Sequence, residues 1–304
     1  MSNSQTMPAV SLVAVPGRIS KMLEAARKFE DQGFTGIYCP SLGDCLGLCQ
    51  AIAQTTNEIA IGTSIMPIYF RHPVDLARTA AFIHELSNGR FRLGLGVSHG
   101  PVYNRFKLSV GKPLADMRGY VADVRAAEKE VGPLPPITLA TLREKMLDLA
   151  VEIADGAVWA NGCRSYMPAQ LEAVPAAKKQ SDFFIGDMIP TVIDDDEQAA
   201  AAVNRKTLTM YVQLPNYRNY WKAAGYVEEM EAIETALENG ETDRLPNLMS
   251  DRWLEDNTLF GSASKVPEGV EKWLDAGIKT PILVPSSTSG GQAKAIGELL
   301  DAYA

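Results

Sequence analysis

Two stretches hold the residues whose types and spacing could support chemistry. Residues 59–74, IAIGTSIMPIYFRHPV, lead through a helical segment into residues 89–100, GRFRLGLGVSHG. Together they read as strand, loop, helix, strand, with almost no acid–base groups. Gly94 and Gly96 alternate with Leu93, Leu95 and Val97, so one strand face carries large side chains and the other nearly none. A strand bare on one face implies that something flat approaches the backbone. A planar, ring-shaped cofactor is the group this pattern predicts.

Such a strand needs neighbours to hold it, and the periodicity supplies them. Apolar runs predict strands at 9–15, 35–39, 59–66, 91–97, 137–141, 157–160, 183–192 and 282–284. Helical patterns lie at 19–32, 44–56, from Pro73 to near Gly89, and at 113–130, 145–154, 169–179 and 291–303. In the first of these, Met22, Ala25, Ala26 and Phe29 share one face and Gly33 ends it. Another helix starts at Asp194-Asp-Asp-Glu197, where carboxylates suit the helix dipole. Residues 98–112 read as irregular. Eight strands alternating with helices predict a (β/α)8 TIM barrel, although a doubly wound open sheet has the same alternation. Residues 204–260 read as a helical insertion between strands seven and eight. No linker breaks the chain, so a single domain over 1–304 is expected.

Composition narrows the function. With 304 residues and 46% hydrophobic content the chain can bury a large core. A formal net charge of −8 argues against nucleic-acid and anionic-membrane surfaces. No apolar run reaches the roughly 18 residues of a membrane span. Residues 1–8 lack a signal-peptide pattern, and a cytoplasmic protein is expected. Cysteines at 39, 45, 49 and 163 and histidines at 72, 84 and 99 lack zinc-site spacing, so no metal is expected. Cys45 and Cys49 share a helix face as small apolar groups.

In a barrel, chemistry gathers at the C-terminal ends of the strands. Here those ends are Pro16, 39–41, 64–66, 98–99, 141–142, 161–163, 191–194 and 285–287. They carry no lysine placed for a Schiff base, no His-x-His pair and no carboxylate cluster for magnesium. A rim of small polar residues with one histidine, His99, leaves the demanding chemistry to a cofactor. Gly94-Leu-Gly-Val-Ser-His-Gly100 fails as a dinucleotide fingerprint, because His99 stands in the third glycine's place and the glycines lie within the strand. No phosphate-loop lysine motif and no Gly-x-Ser-x-Gly elbow occurs.

Gly62-Thr-Ser-Ile-Met-Pro67, Arg71-His-Pro73 and Leu86-Ser-Asn-Gly-Arg-Phe-Arg-Leu-Gly-Leu-Gly-Val97 resemble the luciferase-like flavin- and deazaflavin-dependent oxidoreductases. So do Lys145-Met-Leu-Asp-Leu-Ala-Val-Glu-Ile-Ala-Asp-Gly-Ala157, Phe260-Gly-Ser-Ala263 and Leu274-Asp-Ala-Gly-Ile278. The resemblance spans nearly the whole chain. It implies a (β/α)8 barrel that binds FMN or coenzyme F-420, acts on a small-molecule substrate and forms a homodimer. The activity implied is hydride transfer between coenzyme and organic substrate, or monooxygenation when reduced FMN activates oxygen. Ser41, Ser64, Ile65, Met66, Gly94, Gly96 and Ser98 would surround the ring, with a cis peptide at Ser64–Ile65 forming a bulge behind it. Asn161, Gly162, Cys163 and Arg164 correspond to the family's phosphate-binding loop, where backbone N–H groups and a guanidinium suit an anion. Arg143 and Lys145 are second candidates.

The chain departs from the family in two places. Ser41 and Leu42 stand where deazaflavin members often carry an acid and a histidine. His99 stands where some carry a glutamate, which makes it the candidate catalytic proton carrier. His72 reads as a loop-fixing residue. Residues 98–112 and the aromatic segment 211–226 are candidates for a lid over the pocket. Two rivals remain: a flavin-binding protein without turnover, and a cofactor-free barrel lyase.

Overall fold

The computed structural model describes residues 6–304, and its chain divides into two compact units. One comprises the residues up to Trp159 with Ala173–Gly186; the other comprises Ala160–Glu172 with Asp187–Ala304. Most of the N-terminal stretch read for a signal peptide, residues 1–5, lies outside the described residues.

The first unit contains the strands β1 (Ala9–Ser11), β2 (Gly36–Cys39), β3 (Ala60–Thr63), β4 (Met66–Pro67), β5 (Phe91–Gly96), β6 (Ile137–Ala140) and β7 (Gly156–Ala160). Every pairing among them is parallel, in the order β1, β2, β3, β5, β6, β7, with β4 joined to β5. Parallel neighbours require crossovers, and helices supply them. The helix Ile19–Asp31 buries Met22, Ala25, Ala26 and Phe29, the stripe its sequence predicts. Gly33 follows at φ 82°, where a residue without Cβ is at ease. Asp44 caps the helix Cys45–Thr55 by accepting from the Gly47 N–H at 2.9 Å. His72 Nδ1 accepts from the Val74 N–H at 3.3 Å and so fixes the entry to Pro73–Leu86.

Two long side chains lock the approach to β3. Glu30 Oε1 accepts the N–H groups of Asn57, Glu58 and Ile59 at 2.7–3.0 Å. The Arg90 guanidinium donates to the carbonyls of Ala53, Thr56, Ile59 and Ser87 and to Thr56 Oγ1. One planar fork thus satisfies carbonyls that helix and strand ends leave over.

In the second unit, the remainder of β8 (Phe184–Ile193) is followed by the helix Glu197–Val212, capped by Asp196. Helices Pro215–Ala223, Val227–Glu238 and Asp251–Asn257 come next, then β9 (Leu259–Gly261), the helix Lys265–Asp275, β10 (Thr280–Ser286) and the helix Gln292–Ala302. Tyr217 packs tilted on Trp221 and Trp221 edge-on against Trp253, with ring centroids 5.4 and 4.8 Å apart, and Trp221 donates to Asn257 Oδ1 at 2.8 Å. The aromatic segment expected to form a lid is therefore largely the packed centre of this helical region. Tyr217, Tyr220, Trp221 and Tyr226 are all buried.

Several expected elements differ in detail. The strand predicted over 59–66 ends at Thr63, and β4 begins after a break. Residues 98–112, expected to be irregular, contain the helix Gly100–Phe106, which buries none of its residues and so shows no apolar stripe in sequence. The helix predicted over 169–179 is two short pieces, Met167–Leu171 and Ala176–Gln180, separated before Pro175. The 204–260 stretch ends in a strand, because Leu259–Gly261 pairs with Thr191–Ile193 of β8.

Candidate active site

In the first unit the chemistry-bearing residues lie where β3 and β5 part. The Ser64–Ile65 peptide bond is cis, as the resemblance implies. Beyond Gly62 the regular ladder to β5 stops, and the Thr63 hydroxyl continues it. That hydroxyl accepts from the Gly94 N–H at 2.9 Å and donates to the Gly94 carbonyl at 2.8 Å. Ser64 is buried, and its N–H donates to the Cys39 carbonyl at 3.0 Å.

The two glycines have a different reason from the one expected. A Cβ at Gly94 would lie 2.0 Å from the Thr63 carbonyl oxygen. One at Gly96 would lie 2.6 Å from Ile65 Cδ1 and 3.1 Å from Ala140 Cβ. The flat group against this backbone is the chain's own bulge, so Gly94 and Gly96 make room for Thr63 and Ile65 rather than for a ring. Ile65 in turn is half-buried, its side chain seated on bare backbone. Met66 is buried, and its sulfur lies 3.8 Å from the Cys45 thiol on the helix Cys45–Thr55.

Ser41 is half-exposed after β2, and the neighbouring Leu42 is 77% exposed. Past β5, Ser98 has φ 67° and His99 forms the N-cap of Gly100–Phe106. Burial lowers the pKa of His99, so its imidazole is neutral at pH 7. Tyr103 donates to the Val97 carbonyl, and Tyr69 donates to Asp116 Oδ2 at 2.7 Å while packing edge-on against Tyr103. The Gly111 N–H also binds Asp116 Oδ2, at 2.9 Å, so both ends of this segment are tied down.

The second unit holds the loop expected to bind phosphate, and the backbone N–H groups of its first three residues are already engaged, while the buried Asn161 Nδ2 has no partner. The Asn161 N–H donates to the Met188 carbonyl at 3.0 Å. The Gly162 N–H donates to Asp187 Oδ1 at 3.3 Å, and the Cys163 N–H donates to the Tyr220 hydroxyl at 2.8 Å. That hydroxyl donates onward to Gln170 Oε1 at 3.0 Å. Arg164 faces Asp256 at 3.5 Å, and the Ser165 N–H also donates to Asp256, at 3.0 Å. The backbone amides of Asn161, Gly162 and Cys163 are thus bonded to protein groups, and the Arg164 guanidinium is paired with Asp256. As it stands, these three backbone amides do not fit a phosphate, because each already has a protein acceptor.

Three side chains of this loop's surroundings are not apparent from the sequence. Asp187 is fully buried, and its Oδ2 has no hydrogen-bond partner. Burial pushes its carboxyl up to about 8, against weaker opposing bonds from the Gly162 and Met188 N–H groups. Its signal is a lone aspartate inside an apolar strand. Tyr220 and Asp256 give no local signal, since they reach the loop from 57 and 93 residues away.

The first unit thus places a half-buried Ile65 and a His99 of lowered pKa at its strand ends. The chain belongs to the luciferase-like monooxygenase family, whose model matches residues 3–280. It is similar to a proposed coenzyme F-420-dependent oxidoreductase of Mycobacterium tuberculosis, 25% identical over 310 residues that cover 85% of this chain and 88% of that one. Among solved structures it resembles the coenzyme F-420-dependent tetrahydromethanopterin reductase of Methanopyrus kandleri, with a TM-score of 0.75, 17% identity and 98% of each chain covered. A monooxygenase of Streptomyces bottropensis matches with a TM-score of 0.66, 16% identity and 98% of each chain covered. The fold is accordingly the (β/α)8 barrel with flanking helices, and the doubly wound alternative falls away. Among the described residues, no helix is long and apolar enough to cross a membrane.

Proposed function

We infer that this chain is an oxidoreductase that uses coenzyme F-420 to move a hydride to or from a small organic substrate. The observation that carries the reading is the platform: Ile65, half-exposed, supported from behind by the bare backbone of Gly94 and Gly96. An apolar, rigidly backed face at strand ends fits one side of a planar ring. The similarity to the M. tuberculosis and M. kandleri proteins supports the deazaflavin over FMN. Monooxygenation with FMN is the second reading, favoured by the similarity to the S. bottropensis enzyme.

Hydride exchange is the chemistry such a coenzyme supplies when bound. The chain's part is to orient and to manage protons. Ile65 would back the ring, and the buried Ser64 holds the bulge through its N–H bond to the Cys39 carbonyl. His99, kept neutral by burial, can accept a proton at its unprotonated ring nitrogen or donate a hydrogen bond from the other. The net charge of −8 weighs against nucleic acid as a partner. Family resemblance supports a cytoplasmic homodimer.

Titration of the pure protein with coenzyme F-420 and with FMN, followed by fluorescence quenching, tests this reading. Micromolar binding is expected, tighter for the deazaflavin. Binding of neither would remove the proposal, and tenfold tighter FMN binding would move it to the second reading.

A further inference from the structure

The Asp256 carboxylate sits in a ring of donors of the kind a free anion would need. The Cys163 thiol donates to it at 2.8 Å, the Ser165 hydroxyl at 2.5 Å and N–H at 3.0 Å, and the Tyr226 hydroxyl at 2.8 Å. The Arg164 guanidinium adds a cation at 3.5 Å. Asp256 itself is 5% exposed and comes from the helix Asp251–Asn257. Burial opposes its ionisation, but these bonds outweigh burial and hold its carboxyl below the usual range. Thiol, hydroxyl, amide and guanidinium donors converge on one carboxylate; an ordinary exposed ion pair has no such enclosure.

We propose that Asp256 is a built-in anion that fills an oxyanion-binding cup formed by residues 163–165 and Tyr226, closing this loop to the phosphate of any ligand. Asp256 is then a specificity-determining residue. A coenzyme gains nothing at this loop from carrying a phosphate, and removal of the carboxylate creates an oxyanion site. The first consequence rests on the coenzyme reading above; the second does not.

The test is chemical rescue. Asp256→Ala leaves the donors around a vacancy of carboxylate size. Its thermal midpoint is expected to rise saturably by several degrees with inorganic phosphate or acetate, against chloride at matched ionic strength, while wild type stays unmoved. If Asp256→Ala is unfolded in chloride, recovery of folded protein in phosphate or acetate alone supports the proposal equally. Equal response of wild type and variant, or rescue by neither anion, overturns the proposal. A parallel titration compares riboflavin with FMN. Wild type is expected to bind them within about threefold, and Asp256→Ala to prefer FMN by tenfold or more. A strong FMN preference in wild type that phosphate competes away would also overturn it. Failure of both flavins to bind would count against the second, FMN reading alone, and the rescue arm, which uses no coenzyme, would still decide this one.

Discussion

A Gly94→Ala variant is expected to lose on the order of 4 kcal/mol of stability, or to yield no folded protein. The new Cβ would stand 2.0 Å from the Thr63 carbonyl oxygen and 3.0 Å from its carbon, and both are backbone atoms. Neither strand can easily yield. The Thr63 hydroxyl bridges the Gly94 N–H and carbonyl, and β5 is paired on its far side through Gly94 opposite Thr138. Gly96→Ala should cost less, because its first contacts are the flexible end of Ile65 and then Ala140 Cβ. Denaturant unfolding of both variants checks the ranking. A Gly94→Ala protein within about 1 kcal/mol of wild type would mean that the two strands are not held together as described.

The second large effect is electrostatic. The Asp187 carboxyl is pushed from its ordinary 3.8 up to about 8 by burial, so the folded state holds a proton that the unfolded chain releases. The folded protein therefore binds more protons than the unfolded chain between about pH 4 and pH 8. The stabilisation is complete below the unfolded value and is lost as pH rises through the folded one. At about 1.4 kcal/mol per pH unit, the loss across that window is at most on the order of 5 kcal/mol. Asp187→Asn retains an acceptor for the Gly162 N–H and cannot ionise. Its stability should fall less than wild type's between about pH 5 and pH 8, and the difference between the two profiles isolates this group from every other titration. Parallel profiles would show that Asp187 is not a buried, protonated acid.

These two residues mark how far the sequence can be read. Gly94 and Gly96 announce, by alternation alone, that something approaches the strand closely. Spacing cannot say what, and the approaching group is Thr63 at the end of the neighbouring strand with Ile65 from the break that follows it. Long amphipathic elements are legible because their burial is periodic, as Met22, Ala25, Ala26 and Phe29 show. The helix Gly100–Phe106 buries nothing and carries no such pattern, and β9 has only three residues. The closure of the 161–165 loop is illegible for a different reason. Its partners Asp187, Tyr220 and Asp256 are brought in by the tertiary fold, and an aspartate 93 residues away leaves no trace in local spacing.

The coenzyme's surroundings change in two ways from what the sequence suggests. Glycine backbone carries Ile65, and on the proposed reading Ile65 would back the ring, one layer further out than the alternation implies. The phosphate end changes more, since the loop that resemblance assigns to it is occupied by a carboxylate.

The most direct test is therefore to titrate coenzyme F-420 into wild type, Ile65→Val and Ile65→Glu, with matched thermal melts to confirm folding. Ile65→Val should bind within about threefold of wild type. A charge on the platform in Ile65→Glu should weaken binding tenfold or more, about 1.4 kcal/mol. Equal affinity of a folded Ile65→Glu protein and wild type would contradict the claim that this side chain backs the ring.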